Sequence, residues 1–331
     1  MSPRGAHAEE ARVSEGPRPA AVRSWLFVPG DSERKQVRAL TSGADALILD
    51  LEDSVAPAQL PAARSRVAEL LRAQAGAGGP QLWVRINAPQ GRVWREDLQA
   101  VFGPRRARRA PGRSAPVGVV LPKVSAAAEI ATAGTQLAAL ERERGLPRGS
   151  TRLLVIATET PQGLLALAQY PAALRSARSG AGRLAGLTWG AEDLSAALGA
   201  RAKRDTAGAL TFTFALARTT CLLAAAALGV QAIDGVHTEF RDPAGLEREV
   251  AEARRDGFSG KLAIHPDQVI AINAAFTPTQ QERAHAERVV AAFAAAGGAG
   301  VASLDGRMID RPHLIQAQQV LAAGGAPLKE G

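Results

Sequence analysis

Two carboxylates follow two predicted strands near the middle of the 331-residue chain, at the point where each strand ends. The apolar run Leu153–Ile156 is typical of a buried parallel strand, and Glu159 follows it shortly before a proline. A second run, Leu184–Trp189, is followed by Asp193. Because neighbouring parallel strands bring their carboxyl ends to the same edge, Glu159 and Asp193 could share one divalent ion. Mg²⁺ uses few protein carboxylates and keeps positions open for water and substrate, so the sequence predicts a magnesium pair.

Each carboxylate alone has a less specific explanation. An acidic residue at a strand end can cap a helix or pair with an arginine, and for either residue alone that interpretation is favoured. Their similar positions after neighbouring strands favour the metal. The sequence has no Cys or His cluster that would indicate zinc. Its one cysteine, Cys221, lies in an apolar helical run, which indicates a buried structural thiol and a reducing cytoplasm rather than a disulfide framework.

The elements that must position these carboxylates form a repeating pattern of short apolar strands separated mostly by helical segments. Eight such strands favour a (β/α)₈ TIM barrel over a doubly wound sheet, and no G-x-G-x-x-G follows the first strand. The predicted strands are 24–28, 44–51, 82–87, 117–121, 153–156, 184–189, 230–234 and 261–264, and the predicted helices include 126–144, 163–175 and 210–228.

Polar and charged residues collect where the predicted strands end, and a barrel would place them all on one face. They are Asp50, Glu52, Arg85, Lys123, Glu159, Asp193, Asp234 and His265. Arg85 could hold a substrate carboxylate or neutralise an enolate, and an ion pair with Glu52 or Asp53 is the alternative. We assign Asp50, Glu52, Asp53 and Lys123 to supporting roles around the metal, although Lys123 could equally form an ordinary salt bridge. His265, before a proline, could be a structural hydrogen-bonding residue.

Three regions are predicted along the chain. Residues 1–22 are rich in Ala, Glu, Arg and Pro without an apolar signal core, which indicates a disordered leader. Residues 23–276 form the catalytic barrel. Residues 277–331 form a helical extension, with a helix at 279–296, a short segment at 301–310 and a last helix at 312–321. This extension exceeds what barrel closure needs, so it either braces the barrel or reaches the mouth of a neighbouring subunit.

The net charge of +8 raises the question of a nucleic-acid partner. Arginines are concentrated in the leader and in Arg105–Arg109, a loop among Gly and Pro residues. Aromatic residues make up only 4% of the chain, so a solvated surface is favoured over nucleic-acid binding. Some surplus charge could instead attract an anionic, phosphate-bearing substrate. The longest apolar stretch, Leu222–Val230, is too short to cross a bilayer, and the chain is expected to be cytoplasmic with no membrane partner.

Seven short motifs occur in an order that resembles one known family. Together they resemble the citrate lyase β-subunit-like (CitE-like) branch of the HpcH/HpaI aldolase superfamily over residues 23–322, apart from the basic loop. The motifs are LFVPG at 26–30, LDLEDSV at 49–55, VRIN at 84–87, LPK at 121–123, ETPQG at 159–163, GAEDL at 190–194 and GKLAIHP at 260–266.

The resemblance implies a Mg²⁺-dependent C–C lyase that cleaves a 3-hydroxyacyl-CoA thioester, such as malyl-CoA or citramalyl-CoA, into an acyl-CoA and a 2-keto acid. The reverse condensation is equally implied. By this resemblance Glu159 and Asp193 match the metal ligands and Arg85 a substrate-binding arginine. The residues that match contacts to substrate or to the CoA phosphates are Phe27, Arg34, Arg38, Ile264 and His265. Arg34 and Arg38 stand where some relatives have lysine, which keeps the charge.

The resemblance also gives the C-terminal extension a role. Asp310, in GRMIDRP at 306–312, matches an aspartate that CoA-lyase members lend to a neighbouring subunit's site. It would act there as the general acid, which implies a homo-oligomer, a trimer or a hexamer. Two alternatives stay open: the β-subunit of a citrate lyase complex that acts on a citryl thioester of an acyl-carrier protein, and, remotely, a non-catalytic anion or RNA binder. The identity of the acyl-CoA and of the keto acid is also open.

Overall fold

Eight parallel strands close into a barrel in which each strand pairs with the next in the chain and the last pairs with the first. The structure, a computed structural model, describes residues 22–103, 116–176, 181–297 and 300–323. The prediction of a (β/α)₈ barrel is confirmed. The strands are β1 Ser24–Pro29, β2 Ala46–Asp50, β3 Gln81–Arg85, β4 Gly118–Leu121, β5 Arg152–Ile156, β6 Leu184–Thr188, β7 Gln231–Asp234 and β8 Gly260–Ala263.

Helices connect these strands around the outside of the barrel. They are α1 Glu33–Leu40, α2 Leu60–Ala73, α3 Val93–Phe102, α4 Ala127–Arg144, α5 Pro161–Ala166, α6 Tyr170–Ser176, α7 Ala191–Leu198, α8 Phe212–Leu228, α9 Pro243–Asp256 and α10 Asp267–Phe276. The prediction of one continuous helix over 163–175 is wrong. The structure has α5, a 3₁₀ turn and α6 there, because Pro171 has no N–H to continue the hydrogen bonds of the preceding turn.

Side chains alternate between the barrel interior and the outer helices along each strand. The interior core includes Trp25 and Trp83, whose rings meet edge to face with centroids 5.0 Å apart. Gly118 makes room for Trp83, because a Cβ at that position would lie 2.1 Å from the indole ring. Towards the carboxyl ends of the strands this apolar filling stops. The paired residues Asp50 of β2 and Arg85 of β3 take its place.

A buried ion pair ties the outer helices to the opposite end of the barrel, where the strands begin. Glu141 of α4 accepts hydrogen bonds from both terminal nitrogens of Arg183, at 2.7 and 2.6 Å. The same carboxylate accepts from the backbone N–H groups of Gly149 and Thr151, both at 2.8 Å. Burial alone would raise the pKa of Glu141, but these hydrogen bonds and the charge of Arg183 lower it to about 2.

Replacing Glu141 with glutamine is expected to lower the stability of the barrel by about 3 kcal/mol, because the buried Arg183 guanidinium loses its counter-charge. Since the folded-state pKa of Glu141 lies below its ordinary value of 4.5, the stabilisation is present above that pH and is lost as the pH falls towards 2. Urea unfolding followed by the fluorescence of the four tryptophans, all in the barrel, measures the difference at pH 7 and at pH 3. The control is Glu143→Gln on the exposed face of the same helix. Equal urea midpoints for Glu141→Gln and wild type at pH 7 would contradict the assignment.

The chain divides into two compact units, with the boundary between Phe276 and Thr277. The second unit contains α11 Gln280–Ala295, β9 Val301–Leu304, β10 Arg307–Asp310 and α12 Arg311–Ala323. Its own core includes Phe293, Ile309 and Leu321. The short segment predicted at 301–310 between the two helices is an antiparallel hairpin. Asp305 and Gly306 make its turn, both with positive φ, as a tight hairpin turn requires.

Several sequence-based predictions fall outside the described residues. They concern the leader, of which only residue 22 is described, and the basic loop Arg105–Arg109. In the part of the chain that the structure describes, no helix combines the length and the apolar character that a membrane span requires.

Candidate active site

The carboxyl ends of the strands carry a set of seven charged side chains that we call the mouth cluster. Its members are Asp50, Glu52, Asp53, Arg85, Lys123, Glu159 and Asp193. The barrel therefore brings together most of the charged residues that the sequence placed at strand ends. Asp234 is separated from them, since it follows the opposite alternation and faces the outer helices. There it binds Trp189 Nε1 at 2.7 Å, Arg218 Nε at 2.9 Å and Lys261 Nζ at 3.0 Å.

Arg85 is the buried cation of the mouth cluster, with 8% of its surface exposed. It binds both oxygens of Asp50, with Nε–Oδ1 at 2.6 Å and Nη2–Oδ2 at 2.7 Å, and its Nη1 lies 3.0 Å from Glu52 Oε2. Its guanidinium also lies over the ring of Phe27, 4.8 Å from the centroid. Burial alone would lower the pKa of Arg85, but the bonds and charges of Asp50 and Glu52 outweigh it and raise the pKa. The ion pair anticipated from the sequence exists, and its main partner is Asp50 rather than Glu52 or Asp53.

Lys123 links the two halves of the mouth cluster through its backbone as well as its side chain. Its φ of 53° lies in the left-handed region, which is costly for a residue with a Cβ. In this conformation its N–H donates to Glu159 Oε2 at 2.5 Å, and its carbonyl accepts from Gln90 at 2.8 Å. Its Nζ lies 2.6 Å from Glu52 Oε1 and 3.6 Å from Asp193 Oδ1. Lys123 thus contacts both candidate metal ligands.

Glu159 is the more deeply buried of the two candidate metal ligands, with 4% of its surface exposed. Burial raises its pKa well above the ordinary value, and the negative charges of Glu52 and Asp193 raise it further. Burial likewise raises the pKa of Glu52, to about 7. With every member ionised, five carboxylates and two cations leave the mouth cluster with three excess negative charges. A divalent cation between Glu159 and Asp193 would offset most of that excess.

The donor set is suited to a particular kind of metal. Asp193 lies in the first turn of α7, and its side chain is about one-third exposed. The buried Glu159 is therefore the fixed member of the pair, and Asp193 is the member that opens towards solvent. Among the described residues, no group of three or more His, Cys, Asp and Glu side chains is arranged to hold a metal on its own. Two carboxylates with open positions fit the chemistry of Mg²⁺, which retains waters and binds substrate oxygens.

Comparison with known proteins identifies the family of this chain. The family model for the HpcH/HpaI aldolase/citrate lyase family matches residues 23–266. The chain belongs to this family. A citrate lyase subunit beta-like protein of Mycobacterium tuberculosis is 34% identical over 94% of this chain and 98% of its own length. A (3S)-malyl-CoA thioesterase of Cereibacter sphaeroides is 36% identical over 92% of this chain and 95% of its own.

A solved structure of a similar protein has a similar fold. Protein CitE from Mycobacterium tuberculosis, crystallised with magnesium, acetoacetate and coenzyme A, superposes with a TM-score of 0.69 at 33% identity, covering 93% of this chain and 99% of that one. The prediction that the ordered motifs identify a member of the HpcH/HpaI aldolase/citrate lyase family is confirmed.

Four of the residues expected to contact substrate lie on two elements, the helix α1 and the loop after β8. Arg34 and Arg38 are exposed on α1, and Arg38 lies 3.8 Å from Asp267. Ile264 and His265 follow β8, and Ile264 is 40% exposed. None of these four takes part in the ion pairs described for the mouth cluster. Their roles in binding stay predictions.

Asp310 lies in the second unit of this family member, at the end of β10. Its Oδ1 lies 2.5 Å from His313 Nδ1, and its side chain is about half exposed. The pair sits at the start of α12, where the Asp310 N–H also donates to His313 Nδ1 at 3.2 Å. An exposed carboxyl at a strand end is compatible with a role in another subunit, which stays a prediction.

Sequence analysis missed two residues that organise the loop after β8. Gln268 is 2% exposed, and its Oε1 accepts from the N–H groups of Ile264 and His265, at 2.9 and 3.1 Å. Its Nε2 donates to the carbonyl of His237 at 2.9 Å, so one side chain joins the loops after β7 and β8. Phe240 of the first loop stacks on His265 of the second. A glutamine two residues after His-Pro carries no pattern that would reveal these contacts.

Gly190 offers a test of the Glu159 position. A Cβ at residue 190 would lie 2.6 Å from Glu159 Cγ, while the backbone, with φ of −120°, accepts alanine without strain. Gly190→Ala is therefore expected to displace the carboxylate and to weaken Mg²⁺ binding about tenfold or more, as changes next to metal ligands do. Calorimetric titration with Mg²⁺ measures the loss. Gly182→Ala, where a Cβ would meet nothing within 4 Å, is the control, and equal Mg²⁺ affinities of the two variants would contradict the proposed contact.

Proposed function

We propose that this protein is a Mg²⁺-dependent C–C lyase that cleaves a 3-hydroxyacyl-CoA thioester, such as malyl-CoA or citramalyl-CoA, into an acyl-CoA and a 2-keto acid. The observation that carries the proposal is the buried carboxylate of Glu159, which shares with Asp193 a surplus of negative charge at the mouth of the barrel. In a member of the HpcH/HpaI aldolase/citrate lyase family, that surplus is best explained by a metal that takes part in the reaction.

The names of the relatives support the substrate class. The solved CitE structure contains magnesium and coenzyme A, and the Cereibacter relative is named for malyl-CoA. Both proteins align over more than nine-tenths of this chain. The same class of thioester is proposed here, since the family match over residues 23–266 contains all eight strands.

Glu159 and Asp193 would hold the metal, with Lys123 and Gly190 fixing the Glu159 carboxylate. A divalent ion held there would supply Lewis-acid chemistry, which lowers the pKa of a substrate hydroxyl. The hydroxyl proton would pass to solvent water, and the electron pair left on that oxygen would form the keto group as the bond between the carbinol carbon and the α-carbon of the thioester breaks. The products are a keto acid and a thioester enolate.

The remaining steps are assigned to Arg85 and Asp310. Arg85, held in one orientation by Asp50 and by the Phe27 ring, stabilises negative charge that develops on the substrate. Asp310 donates a proton to the enolate carbon, which gives the acyl-CoA product. We infer that the Asp310 carboxyl comes from a neighbouring subunit of a trimer or hexamer, a proposal supported by its exposure in the second unit.

Two other reactions have specific support. Hydrolysis of the thioester is favoured by the name of the Cereibacter relative, a malyl-CoA thioesterase. A role as the β-subunit of a citrate lyase complex is favoured by the name of the Mycobacterium relative. Product analysis separates the three reactions: cleavage and hydrolysis give different products from the same CoA thioester, and the complex subunit acts on a different carrier.

The test is to incubate the protein and Mg²⁺ with one substrate at a time, malyl-, citramalyl-, methylmalyl- or citryl-CoA or a citryl-carrier protein, and to identify the products by mass spectrometry. The proposal expects a keto acid together with an acyl-CoA. Free CoA with an intact hydroxy acid would indicate thioester hydrolysis instead. Cleavage of citryl-carrier protein with no cleavage of any CoA thioester would support the complex subunit. Glu159→Gln protein, prepared in parallel, measures any contaminating lyase.

A further inference from the structure

We propose that Phe240 and His265 form a stacking platform for the nucleobase of the CoA thioester. The platform consists of one aromatic residue from the loop after β7 and one from the loop after β8. It would bind a purine ring carried on a phosphorylated ribose, the end of the substrate farthest from the bond that breaks. The inference rests on the proposed function for the identity of the ligand, and its test separates the two.

The two rings are already stacked on each other. Their centroids lie 5.1 Å apart and their planes meet at 22°, within the range of favourable aromatic pairs. The pair is nevertheless open to solvent, because Phe240 is 45% exposed and the His265 side chain is 31% exposed. A stacked pair of rings held in water presents flat ring surface, and the exposed Arg241 guanidinium lies over the Phe240 ring. Every nucleobase can stack on flat ring surface.

The platform is held rigidly from below. Gln268, itself buried, accepts from the N–H of His265 and donates to the carbonyl of His237, three residues before Phe240. His237 is held in turn by its Nδ1, 2.9 Å from Glu249 Oε1. The loops that carry the two rings are therefore fixed before a ligand arrives, which lowers the entropic cost of binding.

Arg241 and Arg38 are the cations that would meet the phosphates of a bound nucleotide. The Arg241 guanidinium lies 5.3 Å from the centroid of Phe240. Arg38 of α1 lies 3.8 Å from Asp267, and the two side chains are 66% and 73% exposed. Asp267 also lies 3.4 Å from His265 and contributes the opposing negative charge. A loose, exposed pair of this kind is readily rearranged, so Arg38 is available to a phosphate.

The test compares two thioesters with the same acyl group, one on CoA and one on pantetheine, which lacks the nucleotide. Phe240→Ala is expected to raise the KM for the CoA thioester about tenfold, with kcat changed less than about twofold, because stacking of a base on an aromatic side chain is lost. The KM for the pantetheine thioester is expected to stay the same. Phe240→Trp is expected to restore the wild-type KM, and Phe212→Ala, at an 81% exposed phenylalanine of α8, is the control.

Binding without turnover gives an independent measurement. Calorimetric titration of wild type and Phe240→Ala with free CoA, with ADP and with pyrophosphate identifies which part of the ligand is recognised. CoA and ADP are expected to bind Phe240→Ala about tenfold more weakly, and pyrophosphate equally to both proteins. If only pyrophosphate binding changed, the loop would recognise phosphate and the stacking assignment would be wrong.

The outcomes distinguish this inference from the proposed function. If wild type cleaves no thioester but CoA binding still depends on Phe240, the proposed function fails and the platform stands. If the CoA thioester is cleaved with the same KM by wild type and Phe240→Ala, the platform is wrong and the function stands. A KM that rises equally for CoA and pantetheine thioesters would also overturn the platform, because the loop would then act on the acyl end.

Discussion

Replacing Glu159 with glutamine is expected to lower kcat/KM for the cleaved CoA thioester by about a thousandfold or more, because a Lewis-acid metal contributes several kcal/mol to the transition state. The substitution keeps the shape of the side chain and removes one of the two charges that would hold Mg²⁺. Steady-state kinetics at saturating Mg²⁺ and calorimetric titration with Mg²⁺ measure the two effects, and Asp193→Asn is expected to behave in the same way. The control is Glu192→Gln, beside Asp193 but 52% exposed and paired with Lys203.

Although it is expected to lower activity, Glu159→Gln is expected to raise the stability of the metal-free protein. Since burial and the charges of Glu52 and Asp193 raise the folded-state pKa of Glu159, the protonated form stabilises the fold. That stabilisation is present below the ordinary pKa and is lost as the pH rises through the folded-state pKa. Metal-free Glu159→Gln should therefore melt at a higher temperature than metal-free wild type at pH 8.

Addition of Mg²⁺ should reverse the order, because only the wild type gains from binding the ion. Thermal melting at pH 8 with EDTA and with Mg²⁺ tests both statements. A wild-type protein whose melting temperature does not respond to Mg²⁺, together with a Glu159→Gln variant of normal turnover, would show that Glu159 is a structural carboxylate. The buried charge would then lower stability without contributing to catalysis, whereas active sites usually lower stability because function requires it.

The strand-end positions of these carboxylates could be predicted because they follow from patterns that are local in sequence. Runs of apolar residues reveal the strands, and parallel strands in a closed barrel must end on the same side. The sequence alone therefore predicts that Glu159, Asp193 and Arg85 lie on one face of the barrel. The hydrogen-bond partners of these side chains could not be predicted from the sequence. The bond between Asp50 and Arg85 depends on the register of β2 against β3 and on which face each side chain takes.

Other features of the site depend on conformations that no short motif reports. The left-handed backbone of Lys123 directs its N–H to Glu159, yet Leu-Pro-Lys alone does not require a positive φ. Asp234 sits at a strand end like the others, but its alternation turns it outward to Arg218 and Lys261. The buried role of Gln268 joins two loops whose contact is set by tertiary packing.

Replacing Asp310 with asparagine is expected to lower turnover by about a hundredfold to ten-thousandfold, the usual contribution of a general acid, while Mg²⁺ binding is retained. Binding should survive because the proposed metal ligands, Glu159 and Asp193, lie in the other compact unit of the chain. Asp305→Asn is the control, an exposed aspartate in the hairpin turn of the same unit, where asparagine also accepts a positive φ. Normal turnover in Asp310→Asn would end its assignment as the acid.

Co-expression of two inactive variants tests whether Asp310 acts in a neighbouring subunit. An oligomer that mixes Asp310→Asn and Glu159→Gln chains contains sites with an intact metal pair from one chain and an intact aspartate from the next. In a ring with head-to-tail contacts, random mixing of equal amounts makes about one site in four complete, so about a quarter of wild-type activity should return. If the acid acted within its own chain, every site would lack one group. Mixed oligomers as inactive as the single variants would therefore place Asp310 in its own chain's site.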